Sequence, residues 1–84
     1  SRIRFVRVAA GRLAGQHPWR AGVRERTGAA VVAVERDQTV FVKFDPDFQV
    51  RPDDILFVCG TLGSLDQYAR EFQAMPAENA RDSL

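Results

Sequence analysis

The chain has 84 residues, of which 45% are hydrophobic and 27% are charged. This length holds one small domain with a single core, and the hydrophobic fraction excludes a disordered chain. Residues 1–26 contain seven arginines and one acid, whereas residues 27–84 contain five basic and ten acidic residues. This asymmetry favours an anionic ligand near one end or charge pairing between copies. The alternative is that arginine simply replaces lysine throughout the chain.

The cysteine content and the apolar runs limit the class of protein further. Cys59 is the only cysteine, which excludes an intramolecular disulfide and a cysteine-based zinc site. Because the sequence shows no signal-peptide pattern, we expect a reducing, cytoplasmic compartment. The longest apolar run, Ala29 to Val34, has the length of a strand, whereas a membrane span needs about 18–20 residues. We therefore expect no direct membrane insertion.

The first predicted element is a strand over residues 2–9. Ile3 and Phe5 alternate with arginines, which is typical of a strand with one buried face. The apolar positions then shift by one residue to Val6 and Val8. This shift predicts either a β-bulge or a strand that is covered on both faces.

A helix is predicted next, after a loop that contains Gly15. It begins near His17 and Pro18, because proline is well tolerated in the first turn of a helix. Trp19 and Val23 are four residues apart and would share one face. Gly28 is expected to end this helix in a left-handed conformation.

Three strands follow the first helix. Ala29–Val34 is rich in small and β-branched residues, as expected for a buried strand. A tight turn at residues 36–38 leads to a hairpin partner over Thr39–Phe44. A loop over Asp45–Asp54 precedes the last strand, Ile55–Cys59.

The second helix is predicted from Leu62 to Phe72, because apolar residues recur at helical spacing along it. Thr61 and Ser64 are rival N-caps. The predicted order of elements is β-α-β-β-β-α. Residues 1–75 would form the domain, and residues 76–84 a flexible tail.

Catalytic, metal and nucleic-acid sites have weak support. His17 and Cys59 do not predict a nucleophile–base pair, because Cys59 lies inside a buried strand. Four aspartates between residues 45 and 54 lack the pattern of a calcium loop, and Asp53 or Asp54 is expected to cap the turn into the last strand. The near-neutral net charge disfavours nucleic acid. We therefore predict no catalytic residue, no metal site and no nucleic-acid partner.

Several motifs carry a family resemblance through their order and spacing. They are Leu13-x-Gly15, Val23-Arg24-Glu25-Arg26-Thr27-Gly28, Val31-Val32-Ala33-Val34-x-Arg36-Asp37, Pro46-Asp47, Val50-x-Pro52-x-Asp54-Ile55-Leu56-x-Val58-x-Gly60-Thr61 and Leu65. Together they resemble the C-terminal subdomain of RCK (regulator of potassium conductance) proteins, which is also called the TrkA-C domain. The similarity covers residues 5 to 72, which is most of the chain.

The resemblance implies an α+β fold in which a small antiparallel sheet packs with two helices. It also implies a cytosolic regulatory domain of a potassium channel or potassium transport system, which forms a homodimer and senses a small ligand at or near the dimer interface. In several members that ligand is cyclic di-AMP, and in some channel members it is calcium. The implied partners are an N-terminal Rossmann subdomain and a membrane channel or transporter subunit. No G-x-G-x-x-G motif is present, so no NAD site and no cofactor are expected in this domain.

If the domain senses a small anion, its ligand contacts are expected between two copies, around the first helix, the start of the second strand and the following loop. Arg24 matches the family motif and would contact a phosphate, while Trp19 lies about one helical turn earlier and could stack on a base. The alternative for Arg24 is an ion pair with Glu25, Glu35 or an acid of a second chain. The full set of candidate residues is Trp19, Arg24, Ala30, Val31 and Pro46.

Two functions stay open on the sequence alone. The first is the regulatory ligand-sensing domain just described. The second is a purely structural dimerisation or gating-ring segment, or the regulatory domain of another transporter, without a small-molecule ligand. Among cyclic di-AMP binders the second strand often begins with a polar residue, whereas this chain has Ala30 at that position.

Overall fold

The computed structural model describes residues 2–77. A single turn of 3-10 helix at Gly11–Leu13 follows the first strand. The strands and helices, in chain order, are β1 (Arg4–Ala9), α1 (Val23–Thr27), β2 (Ala30–Arg36), β3 (Thr39–Phe41), β4 (Ile55–Gly60) and α2 (Leu62–Phe72).

The four strands form one antiparallel sheet in the order β1-β4-β2-β3. Helix α2 packs on β4, and α1 packs on both α2 and β2, so the two helices lie together. Leu65, Tyr68 and Phe72 of α2 join Val58 and Leu56 of β4 in the buried core. The predicted α+β fold, with two helices on a small antiparallel sheet, is confirmed.

Strand β1 departs from its predicted pattern. Its register with β4 is unbroken from Arg4 to Ala9, so the predicted bulge in this strand is wrong. Val8 is buried in the core and Val6 is half-buried, whereas Ile3 and Phe5 are 59% and 70% exposed. Because the helices cover only the face that Val6 and Val8 share, the alternate side chains stay exposed within one chain.

A bulge is present in β2 instead. Val31 pairs with Val58 and Ala33 pairs with Phe57, so Val32 is the extra residue between two normal pairs. The second strand also begins at Ala30 and continues to Arg36, beyond its predicted end. The bulge places an exposed Val32 near the start of the strand, beside α1.

The predicted start of the first helix, near His17 and Pro18, is wrong. Helix α1 contains only five residues and begins after Gly22, whose φ of 79° is left-handed and interrupts helical backbone. Pro18 and the next two residues form a separate turn, in which the Arg20 N–H donates to the carbonyl of His17 at 3.1 Å. Gly28 ends the helix as predicted, with φ of 81° and its N–H 2.9 Å from the Arg24 carbonyl.

The β2–β3 hairpin turns through Asp37 and Gln38, which have φ values of 51° and 68°. Two positive φ values are typical of a two-residue turn that follows the twist of the strands. Strand β3 ends at Phe41, three residues before its predicted end. Phe44 instead turns inward, where it is only 9% exposed.

Helix α2 has its predicted bounds. The Thr61 hydroxyl accepts a hydrogen bond from the Ser64 N–H at 3.1 Å, so Thr61 is the N-cap. Beyond the helix, Pro76 forms a β-bridge with Val8, and Ala77 is buried. The rest of the predicted tail, residues 78–84, lies outside the described residues. Within residues 2–77 no helix is long and apolar enough to cross a membrane.

Candidate ligand-binding site

A cavity of about 520 Å³ lies between the turn that precedes α1, α1 itself and the first residues of β2. Its volume is within the usual range of small-molecule sites, roughly 300–1,000 Å³. Four of the five candidate residues predicted from the sequence line this one cavity. The complete lining is Pro18, Trp19, Val23, Arg24, Glu25, Ala30, Val31 and Val32.

Trp19 forms an aromatic wall whose orientation is fixed. Its indole Nε1–H donates to the carbonyl of Val31 at 3.0 Å. Its ring also lies edge-on to Phe44, with centroids 4.7 Å apart and an interplanar angle of 78°. Because Trp19 is still 55% exposed, the indole can offer a surface to a planar ligand.

Arg24 is the basic group of the cavity. Its side chain is exposed, and among the described residues its guanidinium forms no ion pair or hydrogen bond. Glu35 pairs with Arg7 instead, at 3.3 Å, so the predicted alternative of an Arg24–Glu35 ion pair is wrong within the chain. The planar donor fork of an arginine suits a phosphate or a carboxylate.

The floor of the cavity is apolar and borders an open edge of the sheet. Ala30 is half-buried and Val31 is only 3% exposed. Strand β3 pairs with β2 only from Val34 onward, so within residues 2–77 the first half of β2 has no strand partner on that side. Apart from the Val31 carbonyl, which accepts the Trp19 indole N–H, an edge without a partner strand can accept a second strand.

Pro46 is the fifth candidate residue, and within one chain it lies outside the cavity lining. It is exposed in the loop between β3 and β4. This loop reaches the cavity side of the molecule through its neighbour Asp45, whose carbonyl lies 3.0 Å from Nε2 of His17. The single chain therefore brings together Trp19 and Arg24, but not Pro46.

The same loop is anchored to β2 by a buried ion pair. Asp54 is 2% exposed and accepts hydrogen bonds from Arg36 Nε at 2.9 Å and Nη2 at 2.7 Å. It also accepts a hydrogen bond from the Arg51 N–H at 2.8 Å. Of the two aspartates predicted to cap the turn into β4, Asp54 is therefore the one that does so. Burial alone would raise the pKa of Asp54, but these hydrogen bonds and the two arginine charges outweigh it and leave that pKa below its usual value.

The residues considered for catalysis are placed apart. Cys59 lies in β4, where it pairs with Phe5 and Ala30, and both ring nitrogens of His17 contact backbone atoms. Among residues 2–77 no three histidine, cysteine or acidic side chains come close enough to hold a metal ion.

Sequence reasoning missed four lining residues. Val23 and Glu25 flank Arg24 in the family motif, and Pro18 precedes Trp19 in the chain, so their proximity follows from the sequence. Val32 joins the lining where β2 bulges, and no residue of its apolar run marks that position.

The sheet and the two helices define a small α+β domain, with this cavity between α1 and the start of β2. The sequence family model of the TrkA-C domain matches residues 5–73. The chain therefore belongs to the TrkA-C domain family, as its motifs indicated. No curated protein matches the chain.

Solved structures show the same fold. The RCK C domain of the potassium transport protein KtrA, in complex with cyclic di-AMP, has a TM-score of 0.72 and 21% identity over 82% of each chain. The RCK_C domain dimer of S. agalactiae BusR with cyclic di-AMP has a TM-score of 0.69 and 19% identity over 82% of this chain and 95% of that chain. The GsuK RCK domain has a TM-score of 0.68 and 19% identity over 84% of this chain and 16% of that chain.

Proposed function

We propose that this domain is a cytoplasmic regulatory module of a potassium channel or potassium transport system, which senses a small anionic ligand as a homodimer. Its partners would be an N-terminal Rossmann subdomain and a membrane channel or transporter subunit. The family supports the regulatory role. The observation that carries the ligand-sensing role is the convergence of Trp19, Arg24, Ala30 and Val31 on one cavity.

The chemistry of this cavity suits a nucleotide-like anion. Arg24, which has no ion pair within residues 2–77, supplies a guanidinium for a phosphate, and the exposed face of Trp19 supplies a stacking surface for a base. Ala30 and Val31 supply an apolar floor. Cyclic di-AMP, which is bound by the KtrA and BusR domains, has both phosphates and bases and is the first ligand to test. Because Ala30 has no polar side chain, recognition would depend mainly on Arg24 and Trp19.

The homodimer would form next to this cavity. The unpaired half of β2 and the exposed Val32, which is 37% accessible, border the cavity on the same side. An interface on this side would place the ligand between two copies and would allow Pro46 of the second copy to approach it. A twofold interface of this kind uses the same surface on each copy.

The test is a titration of the domain with cyclic di-AMP, followed by the fluorescence of Trp19, the only tryptophan, and by calorimetry. A charged hydrogen bond contributes about 1.5–3 kcal/mol, so Arg24→Ala should weaken binding about 10- to 150-fold. Arg12→Ala is the matched control, since Arg12 is also exposed but lies outside the cavity lining. Equal affinity of wild type and Arg24→Ala would show that the site is misplaced.

The same preparation separates this function from a purely structural one. A ligand at 100 times its dissociation constant stabilises a domain by about 2.7 kcal/mol. If cyclic di-AMP, adenine nucleotides and calcium all leave the melting temperature of the wild type unchanged, the domain is a dimerisation segment that binds none of them.

A further inference from the structure

His17 joins two segments that border the candidate site. Its Nδ1 atom lies 3.0 Å from the backbone nitrogen of Trp19, and its Nε2 atom lies 3.0 Å from the carbonyl oxygen of Asp45. Trp19 is the aromatic wall of the cavity, and Asp45 immediately precedes Pro46. One imidazole ring therefore connects the turn before α1 to the loop that carries Pro46.

The two contacts determine the protonation state of the ring. A backbone N–H can only donate, so Nδ1 must accept from Trp19 and must carry a lone pair. A backbone carbonyl can only accept, so Nε2 must carry the proton and donate it to Asp45. Only the neutral Nε2–H tautomer satisfies both contacts. A charged imidazolium would direct an Nδ1–H at the Trp19 N–H and would break that hydrogen bond.

The surroundings of the ring support a positioning role. His17 packs edge-on against Phe44, with ring centroids 6.1 Å apart, and Phe44 in turn packs against Trp19. The indole of Trp19 is also held by the Val31 carbonyl. The three aromatic rings thus form one cluster, and His17 provides its hydrogen bonds to the backbone on both sides.

We infer that neutral His17 is a positioning residue for the ligand site, and that it holds the Trp19 wall and the Pro46 loop at a fixed separation. The role in ligand binding rests on the function proposed above. The tautomer and the link between the two segments rest only on the two hydrogen bonds of the ring. A proton on Nδ1 would remove the acceptor of the Trp19 N–H. Acidification that charges the ring should therefore weaken both the contact with Trp19 and the binding of an anion that needs this geometry.

Other charged groups near the ring can be separated from its effect. The two segments that meet at His17 carry Arg20 in its own turn and Lys43, Asp45 and Asp47 in the loop, and all four side chains are exposed. None of them forms an ion pair with His17 within residues 2–77. His17→Gln keeps all four groups, so a pH effect that persists in this variant belongs to them and not to the imidazole.

Two variants test the inference. His17→Gln keeps one acceptor and one donor but does not titrate, whereas His17→Ala removes both contacts. Because the chain has one histidine and one tryptophan, NMR can report on the imidazole nitrogens and on the Trp19 backbone and indole N–H groups without ambiguity. Circular dichroism checks that each variant is folded at both pH values.

We expect the ligand-free wild type to show a protonated Nε2 at pH 8 and to shift the Trp19 amide resonance between pH 8 and pH 5. His17→Gln should keep its Trp19 amide resonance unchanged over this range, and His17→Ala should show a displaced resonance at both values. An Nδ1–H tautomer at pH 8, or an equal shift in His17→Gln, would overturn the inference.

The affinity for cyclic di-AMP is the second readout. At pH 8, His17→Ala should bind at least fivefold more weakly than the wild type, and His17→Gln should stay within twofold of it. A His17→Ala variant that is folded and binds as well as the wild type would refute the positioning role. If the wild type does not bind, the ligand-free measurements still decide the tautomer and the joining of the two segments, and only the proposed function fails.

Discussion

The Arg36–Asp54 ion pair gives the sharpest prediction about stability, because it is almost completely enclosed. The side chain of Asp54 is 1% exposed and that of Arg36 is 16% exposed. Removing one partner of a buried pair costs about 3–5 kcal/mol, since the other charge stays without compensation. Arg36 retains some solvent contact and also lies over Phe41 and Phe48, at 5.4 and 4.9 Å from their ring centroids. We therefore expect Asp54→Asn to cost about 3 kcal/mol, at the low end of this range.

The assay is reversible unfolding by heat and by urea. In a domain of this size 1 kcal/mol shifts the melting temperature by about 4–8 °C, so Asp54→Asn should melt about 12–24 °C lower. Asp53→Asn is the matched control, because Asp53 is the exposed neighbour and should change stability by less than about 0.5 kcal/mol. If Asp54→Asn also lies within about 0.5 kcal/mol of the wild type, the ion pair does not hold the loop.

The pH dependence of the same variant checks the cause. The pKa of Asp54 is lower in the folded chain than its usual value. Its contribution to stability is therefore fully present above the unfolded pKa of about 3.9, and is lost as the pH falls through the folded value. The difference between wild type and Asp54→Asn should be constant from pH 8 to pH 5 and should close below about pH 4. A difference that persists at pH 2 would mean that packing, and not charge, is responsible.

Two further predictions concern the core and the dimer. The Tyr68 hydroxyl is buried without a hydrogen-bond partner among the described residues, and burial raises its pKa. Tyr68→Phe should therefore be neutral or stabilising by about 1 kcal/mol. A loss of stability on thermal melting would contradict this prediction. Val32→Arg should reduce the sedimenting mass from dimer to monomer, whereas Phe5→Arg, on the sheet face opposite the helices, should leave the dimer intact. The reverse result would move the proposed interface from the edge of β2 to that sheet face.

Helix α2 and the final strand were predictable because their local signals agree with their packing. The apolar stripe of α2 has helical period and faces the core, and a hydroxyl residue at Thr61 stands where an N-cap is needed. Asp54 was predictable as a turn cap by residue type alone. Its ion pair with Arg36 was not, because eighteen residues separate the partners and only the tertiary fold brings them together.

The region of the ligand site was less predictable, for physical reasons that can be named. Pro18 is compatible with a helix start, but the left-handed Gly22 divides the segment into a turn and a short helix, and glycine is also tolerated inside helices. The apolar run of β2 has no feature that marks a bulge at Val32, since the bulge depends on pairing with β4. Trp19 and Arg24 still line one cavity, but only Arg24 belongs to the family motif, and Trp19 lies in the turn before α1 and not on a helical turn preceding Arg24.

The groups around the cavity differ in whether the single chain already gives them an interaction partner. The Trp19 indole N–H and the Val31 carbonyl already satisfy each other, so one chain holds the aromatic wall in place without a ligand. Within residues 2–77, the Arg24 guanidinium lacks an anion and the first half of β2 lacks a neighbouring strand. In the proposed dimer the interface would bring the Arg24 side chains of the two copies closer together. An anion in this cavity would neutralise them and so would favour association. By thermodynamic reciprocity, association must then tighten anion binding by the same factor, which is the coupling that a regulatory domain requires.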